Sequence, residues 1–234
     1  MRIGIILCDH VAGPFRAIAG DYDDMVKEMF TEQGHAFVIY DAQSDGLPAD
    51  SHECDGYVIS GSSASVYEDH RWIRDLEGFI RQAHSDAVAI FGICFGLQAM
   101  ATALGGSVER SEQGWGVGVH TMKVGAARPW MKPRTDTISL IMSHRDQVVR
   151  LPPAARLLGS SDHCTNAMVE FTPLCVGIQG HPEFPADYAR ALYGARRDSL
   201  GDLAERATVS LDDPTDAATV GDWILRFLSD NAFR

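Results

Sequence analysis

Apolar segments alternate with helical patterns over residues 2–104, and this alternation restricts the fold more than any other feature of the chain. Strand-like apolar runs occupy residues 2–8, 36–40, 54–60 and 87–93. Helical spacing is found in residues 21–33 and 70–84, and a further helix is expected after Cys94, up to Leu104. Continuous apolar strands are typical of parallel sheets that are buried on both faces. The pattern therefore predicts an α/β fold with a doubly wound, flavodoxin-like, mostly parallel sheet and helices on both faces.

The chain changes character after residue 104. Glycine-rich and β-branched segments at residues 117–124, 135–142, 167–171 and 174–179 predict an antiparallel extension of the sheet. Helical patterns return at residue 185 and end in residues 217–233, whereas the polar residues 198–214 are expected to form a mobile connection. No internal repeat or long linker is present. The sequence thus predicts a single domain over residues 1–234, with a core at about 1–190 and a C-terminal helical segment at 185–234.

The composition argues against several classes of protein. Lys and Arg number 20 and Asp and Glu number 32, so the formal net charge is −12, which does not favour binding to nucleic acid or to an anionic membrane. The five cysteines show no C-x-x-C spacing and no H-E-x-x-H motif occurs, so neither a metal nor a cofactor is expected. No apolar run has the length of a membrane span or the character of a signal peptide, which predicts a cytoplasmic protein.

The segment GICFGLQ, residues 92–98, predicts an exposed nucleophile. A strand ends before Cys94 and a helix begins after it, and glycines stand two residues to either side. Small residues at these positions allow the sharp strand-to-helix turn that presents a nucleophile at its apex. The positive end of the helix dipole also favours the thiolate, the reactive form of cysteine. An isolated cysteine is more often a small buried hydrophobe, but the two glycines favour a nucleophilic role for Cys94.

The segment VGIQGHPE, residues 176–183, supplies a candidate base for that thiol. An apolar strand places His181 at its carboxyl end, where catalytic groups of open α/β sheets gather. Glu183 follows two residues later and is able to hold the imidazole in one tautomer. The alternative without a catalytic role is that this His and Glu are solvent-exposed residues in a turn. The other eight histidines lack this combination of a strand end and a spaced carboxylate, so His181 is the favoured base.

Attack on an amide carbonyl also requires hydrogen-bond donors for the oxyanion. The backbone amide of Phe95, next to Cys94, is one candidate, and the loop of residues 60–63 after the third strand is another. The loop by itself also fits an ordinary strand-to-helix turn. A phosphate-binding loop is disfavoured because no Gly-Lys-Ser/Thr follows it.

Four segments together resemble the class I glutamine amidotransferase family: SGSSASVY at 60–67, GICFGLQ at 92–98, SHRDQV at 143–148 and HPE at 181–183. The likeness covers about residues 1–190 and is greatest to stand-alone proteins similar to the glutaminase domain of GMP synthetase. The resemblance implies a catalytic triad, an oxyanion hole and a substrate-binding set. The triad would be Cys94, His181 and Glu183, and the oxyanion hole would be formed by Gly61 and Phe95. Gln98 and the backbone at His144 and Arg145 would bind the two ends of a glutamyl group.

Two positions depart from the synthetase pattern. That domain usually has Ser-His-Gly-Asp where this chain has residues 143–146 (SHRD), and Ser-Gly-Gly-Pro where this chain has residues 60–63 (SGSS). Arg145 would place a long cation near the substrate, which is expected to alter which γ-glutamyl compound fits. The equally weighted alternative is that Arg145 forms a surface ion pair, with Asp146 or another nearby acid.

The predicted function is hydrolysis of a γ-glutamyl amide through a thioester on Cys94. One version is a glutaminase that hands ammonia to a separate synthetase chain, and the other is a self-sufficient hydrolase of γ-glutamyl peptides or amines. The chemistry is the same up to the thioester, so the triad does not separate them. A third possibility is a redox or non-enzymatic protein of the DJ-1 group, which also carries a cysteine on an elbow. That group lacks the glutamine four residues later and the His-Pro-Glu segment.

Overall fold

The structure is a computed structural model, and it describes residues 1–30, 34–44 and 46–232. The strands are β1 Arg2–Leu7, β2 Ala36–Asp41, β3 Gly56–Ile59, β4 Ala89–Ile93, β5 Ser107–Arg110, β6 Gly116–Val124, β7 Thr137–His144, β8 Asp146–Arg150, β9 Arg156–Ser160, β10 Met168–Thr172 and β11 Cys175–Ile178. The α-helices are α1 Gly13–Ala19, α2 Tyr22–Met29, α3 Arg71–Ser85, α4 Phe95–Ala103, α5 Ala186–Ala195, α6 Arg197–Leu200, α7 Leu203–Ser210 and α8 Ala217–Asn231.

A nine-stranded sheet in the order β2-β1-β3-β4-β11-β10-β9-β6-β7 organises the described residues. The strands from β2 to β11 in this order run parallel to one another, and those from β10 to β7 continue the sheet in antiparallel pairing. A separate two-stranded sheet pairs β5 with β8. The predicted fold class, a mostly parallel sheet with an antiparallel extension, is confirmed.

Helices cover both faces of the parallel strands because each strand has apolar side chains on both sides. On one face, Ile5 and Phe91 belong to a buried cluster with Val26 of α2 and with Trp223 and Phe227 of α8. The opposite face forms a second cluster, in which strand residues pack against α3 and α4; it includes Ile6, Ile59, Ile90, Leu76, Ile80, Leu97 and Met100. Burial on both faces explains the uninterrupted apolar runs of the sequence.

The register of β4 and β11 determines where the candidate site lies. Ile93 of β4 pairs with Ile178 of β11 in parallel, so the chain leaves both strands at the same edge of the sheet. Cys94 follows the first strand directly and His181 follows the second after two residues. The carboxyl edge of a parallel sheet is where such folds bind ligands, particularly where the strand connections diverge.

Two expectations from the sequence are wrong. Residues 174–179 do not belong to the antiparallel extension, since β11 lies parallel to β4 and ends the parallel half of the sheet. Residues 198–214 are not a loose connection, because they contain α7 and most of α6. The buried residues of α7 are the small Ala204 and Ala207, which pack beside Val117 and Ile141, whereas Val209 is exposed, so the helix has a weak hydrophobic pattern.

Element ends differ from the predictions by a few residues. The helix expected over residues 21–33 is α2, with Asp21 as its capping residue and Phe30 already extended at its end; residues 31–33 lie outside the described ranges. The last helix, expected to reach residue 233, is described to Asn231, and residue 233 is also outside. Within the described ranges, no helix has both the length and the apolar character needed to cross a membrane.

Candidate active site

Cys94 occupies a strained turn between β4 and α4. Its backbone has φ 52° and ψ −100°, a conformation that residues with a side chain rarely adopt. A Cβ atom on Gly92 would lie 2.4 Å from the carbonyl carbon of Gly96, and one on Gly96 would lie 2.6 Å from the carbonyl oxygen of Ile59. Only glycine fits at these two positions without movement of the backbone. The geometry is therefore the sharp elbow that the glycine spacing predicts. The prediction that Cys94 is exposed is wrong, however, because Gln179 and the backbone of Gly61 pack against it and leave the residue only 5% exposed.

Buried amide side chains surround the thiol. Gln179 Nε2 donates a hydrogen bond to Cys94 Sγ over 3.3 Å, and Gln179 Oε1 accepts one from Gln98 Nε2 over 3.2 Å. Gln98 Nε2 also donates to the backbone oxygen of Asp146 at 2.8 Å. Both glutamines are buried. The amide groups thus connect the elbow to β8, and within the described residues Gln98 Oε1 has no hydrogen-bond partner in the protein.

His181 is held on one side by a carboxylate and on the other by an aromatic ring. Its Nδ1 lies 2.8 Å from Glu183 Oε1, and its ring stacks on Phe184 with a centroid separation of 3.9 Å. The backbone N–H of His181 donates to the carbonyl oxygen of Ile141 on β7 at 2.8 Å. The imidazole, fully buried together with Glu183, therefore has a fixed orientation, and Nε2 is the ring nitrogen left without a partner among the described residues.

The electrostatics of this pair favour the imidazolium. Burial acts to lower the pKa of His181, but the charges of Glu183 and Cys94 and the hydrogen bond to Glu183 outweigh burial and raise the pKa to about 10. At neutral pH the imidazole therefore carries a proton.

Gly61 brings its backbone close to both groups. A Cβ at this position would lie 3.1 Å from His181 Cε1 and 3.7 Å from Cys94 Cβ, so the histidine and the cysteine meet around it. Ser60 Oγ donates to the carbonyl oxygen of Gly61 at 2.9 Å and itself accepts from the backbone N–H of Cys8, which fixes the peptide that follows β3. Phe95 is the first residue of α4, where a backbone N–H has no acceptor within its own helix.

A cleft with two chambers opens over Cys94. We name them the Gln98 chamber and the His181 chamber. The Gln98 chamber is lined by Ser62, Ser63, Ala64, Ser65, Cys94, Gln98, Trp115, Ser143, His144, Arg145, Asp146 and Arg196. The His181 chamber is lined by Tyr22, Gly61, Ser62, Ser63, Cys94, Ser143, His181, Phe184, Leu192 and Arg196. The two share five residues, Cys94 among them, so the thiol lies where the chambers meet.

His144 and Arg145 have different surroundings in the Gln98 chamber. His144 is buried, and burial together with the nearby His163 lowers its pKa to about 3, so its ring is neutral. The guanidinium of Arg145 lies over the ring of Trp115, 5.1 Å from the centroid. No carboxylate of the described residues forms an ion pair with Arg145, and the neighbouring Asp146 accepts a hydrogen bond from Ser65 Oγ instead.

All eight residues predicted from the sequence lie in this cleft or at its immediate border. Further residues to which the sequence assigned no role also lie there, among them Trp115, Gln179 and Arg196. The His181 chamber adds Tyr22, Phe184 and Leu192. Gln179 carries a detectable signal, since it is a polar residue at the end of an apolar strand, two residues before His181. Arg196 carries none, because the whole of α5 separates it from the nearest motif, residues 181–183, and only the fold returns it to the thiol. Among the described residues, no group of three or more His, Cys, Asp or Glu is arranged to hold a metal ion.

Comparisons with known proteins are consistent with this geometry. The family model "Glutamine amidotransferase class-I" matches residues 19–191. The chain is 31% identical to gamma-glutamyl peptidase 5 of Arabidopsis thaliana over 70% of this chain and 68% of that one. It is 35% identical to the glutamine-hydrolyzing GMP synthase of Cupriavidus pinatubonensis over 55% of this chain and 24% of that one. A glutamine amidotransferase of Thermotoga maritima superposes with a TM-score of 0.77 at 20% identity, covering 99% of this chain and 97% of the other.

Proposed function

The chain belongs to the class I glutamine amidotransferase family, and we propose that it hydrolyses a γ-glutamyl amide bond through a thioester on Cys94. Its relatives include hydrolases and amidotransferases, which supports an enzyme that acts on a carbon–nitrogen bond. The observation that carries the proposal is the meeting of a thiol on a strained elbow with the buried pair His181–Glu183 in one cleft. A structural cysteine needs neither feature.

The first half of the reaction uses the charge on His181. The Cys94 thiolate attacks the γ-carbonyl carbon, and the C–N bond of the tetrahedral intermediate breaks as His181 gives its proton to the leaving nitrogen. The products are an amine or ammonia and a γ-glutamyl thioester on Cys94. Glu183 forms and breaks no bond in this step and keeps the imidazole in the orientation that the transfer requires.

The second half releases glutamate. His181, now neutral, takes a proton from water, and the resulting hydroxide adds to the thioester carbon. Collapse of this second intermediate breaks the C–S bond and restores the thiolate and the imidazolium. In both halves the backbone N–H groups of Gly61 and Phe95 would donate hydrogen bonds to the carbonyl oxygen, which carries negative charge in each intermediate.

The Gln98 chamber is the proposed site for the glutamyl group. Gln98 Oε1, which has no protein partner in the described part of the chain, would accept a hydrogen bond from the α-ammonium group. The backbone at His144 and Arg145 would bind the α-carboxylate.

A second candidate is a glutaminase that passes ammonia to a separate synthetase chain. The likeness to glutamine-hydrolyzing GMP synthase supports it, because the chain matches only part of that longer protein. Steady turnover of a γ-glutamyl amide by the isolated chain would favour the self-sufficient hydrolase. Three further properties stay predictions: a single domain, a cytoplasmic location and the absence of nucleic-acid binding. The packing of α8 against β3 and β4 supports the single domain.

Replacement of Cys94 tests the proposal. Cys94→Ala is expected to reduce glutamate release from glutamine and γ-glutamyl peptides to the uncatalysed background, because no other group forms the thioester. The measurement is enzymatic quantification of glutamate. Cys175→Ala is the matched control, since it also removes a buried thiol. Cys175 is the first residue of β11, at the end of the strand that is far from His181 and the cleft. Turnover that survives in Cys94→Ala and matches the control would end the assignment.

A further inference from the structure

The cleft presents two guanidinium groups that have no ion-pair partner among the described residues. Its lining includes two arginines and one carboxylate, Arg145, Arg196 and Asp146. Glutamine brings one α-carboxylate and one α-ammonium group, so its charges cancel. A substrate with a second carboxylate would give one of these two guanidinium groups an ion-pair partner. The positions of the two arginines indicate which of them would meet this second carboxylate and on which part of the substrate it would lie.

Arg196 lines both chambers, whereas Arg145 lines the Gln98 chamber alone. The leaving nitrogen must lie next to His181 to receive its proton, so any substituent on that nitrogen extends into the His181 chamber. Tyr22, Phe184 and Leu192 give this chamber apolar walls. Arg196 is thus the cation that a substituent on the leaving nitrogen would meet after passing His181.

The guanidinium of Arg196 is positioned by the protein but not neutralised. One Nη donates a hydrogen bond to Ser143 Oγ over 3.0 Å, and the group lies 5.6 Å from the centroid of the Trp115 ring. Ser143 belongs to β7 and Arg196 follows the last residue of α5, so two separate elements hold the side chain in the cleft. A guanidinium has five N–H donors, and within the described residues the protein uses one of them. The others remain for a planar acceptor, and a carboxylate is the acceptor that matches this fork.

We propose that Arg196 binds a carboxylate on the leaving group, and that the preferred substrates are γ-glutamyl amino acids or peptides and not glutamine or neutral γ-glutamyl amines. This inference rests on the proposed function, because it uses His181 as the acid that protonates the leaving nitrogen. Arg196 acts here as a specificity-determining residue. It contacts the part of the substrate that departs first, so its contribution applies to formation of the thioester and not to its hydrolysis.

Two substrates of nearly equal size, which differ only in the charge of the leaving group, test the role of the carboxylate. γ-Glutamylglycine carries a carboxylate on its leaving group, and γ-glutamylglycinamide has a neutral amide in its place. For the wild-type protein we expect kcat/KM for the acid to exceed that for the amide by about tenfold to hundredfold, the usual worth of a charge-assisted hydrogen bond. Arg196→Gln is expected to bring the ratio of the two values close to one, and Arg196→Lys to leave it in between.

Two controls show whether a change in the acid-to-amide preference is due to the loss of the Arg196 guanidinium. Arg197→Gln changes the next residue, an exposed arginine outside the cleft lining, and should keep the wild-type ratio. Labelling of Cys94 by an oxonorleucine electrophile, which has no amine leaving group of this kind, shows whether each variant keeps a folded glutamyl site.

The outcomes separate this inference from the proposed function. If wild-type protein cleaves the acid and the amide equally well, or if Arg145→Gln removes the preference while Arg196→Gln retains it, the role of Arg196 is overturned and the Cys94 chemistry stands. If neither compound releases glutamate and Cys94 does not react, the proposed function itself fails, and the inference fails with it.

Discussion

At the scale of single residues, the site depends on a strained cysteine and on a buried ion pair that sets the charge of one histidine. The conformation of Cys94, at φ 52°, has a cost that the packing around α4 must offset. Glu183 performs no bond-making in the proposed reaction. Its carboxylate is one of the two neighbouring charges that keep the pKa of His181 high in spite of burial.

Glu183→Gln is therefore expected to slow glutamate release by roughly 10²- to 10⁴-fold, less than the loss caused by Cys94→Ala or His181→Ala. Because the carboxylate raises the pKa of His181, its removal lowers that pKa, and the alkaline limb of the pH–rate profile shifts to lower pH. Steady-state kinetics between pH 6 and 11 would measure both effects. Glu205→Gln, which changes an exposed acid on α7, is the control. An unchanged alkaline limb in Glu183→Gln would contradict the role given to this carboxylate.

At the scale of elements, the elbow depends on close contact between β4, α4 and β3. Gly96→Ala would introduce a Cβ 2.6 Å from the carbonyl oxygen of Ile59, so we expect unfolding to become easier by about 1–3 kcal/mol. Gly78→Ala in α3 is the matched control, because nothing lies within 4 Å of the added atom. That change is expected to stabilise the protein by about 0.5–1 kcal/mol through helix propensity. Urea unfolding measures both, and equal effects of the two substitutions would contradict the packing argument.

The elements that the sequence predicted are those with strong local patterns. The parallel strands β1, β3, β4 and β11 are buried on both faces, and α3 and α8 have long apolar stripes, so their apolar patterns are clear. Helix α1 has no buried residue, and the strand β9 has only two, so neither leaves a comparable pattern. The strand β11 was correctly placed as a strand but wrongly grouped, because parallel and antiparallel pairing depend on partners distant in sequence.

The same limit applies to the cleft. Cys94, His181 and Glu183 were predictable because their chemistry depends on spacing within two short segments. Arg196 and Trp115 come to the cleft through α5 and through the turn before β6, and no local pattern relates them to the thiol. Tertiary packing alone brings such residues together. The resemblance to a family supplied Gly61 and Gln98, which residue chemistry by itself left open.

At the scale of the whole molecule, stability depends on pH through its buried histidines. Burial is the main cause of the lowered pKa of His144, about 3, whereas an unfolded chain has a value near 6.5. Between these values the unfolded state binds a proton that the folded state does not. The free energy of unfolding therefore falls as the pH decreases through this window, with His144 contributing up to about 1.4 kcal/mol per pH unit.

His144→Asn is expected to make the acid dependence shallower by up to that amount. Urea unfolding at pH 7, 6 and 5 gives the slope for wild type, for this variant and for His52→Asn, the control at an exposed histidine. A slope that is the same in all three proteins would show that burial of His144 does not contribute to acid sensitivity.

The environments of the five thiols distinguish Cys94 from the other cysteines and allow a direct test of its role as the nucleophile. Burial raises the pKa of Cys8 and Cys54, raises that of Cys164 to about 12 and raises that of Cys175 to about 11, so these four are poor nucleophiles at neutral pH. Cys94 alone of the five lines the described cleft.

The decisive measurement is mass-spectrometric mapping of the protein after treatment with a γ-glutamyl-directed oxonorleucine electrophile at neutral pH. We expect one adduct, on Cys94, formed in step with the loss of glutamate release and slowed by added γ-glutamylglycine. An adduct on any other cysteine, or complete inactivation with Cys94 unmodified, would contradict this expectation.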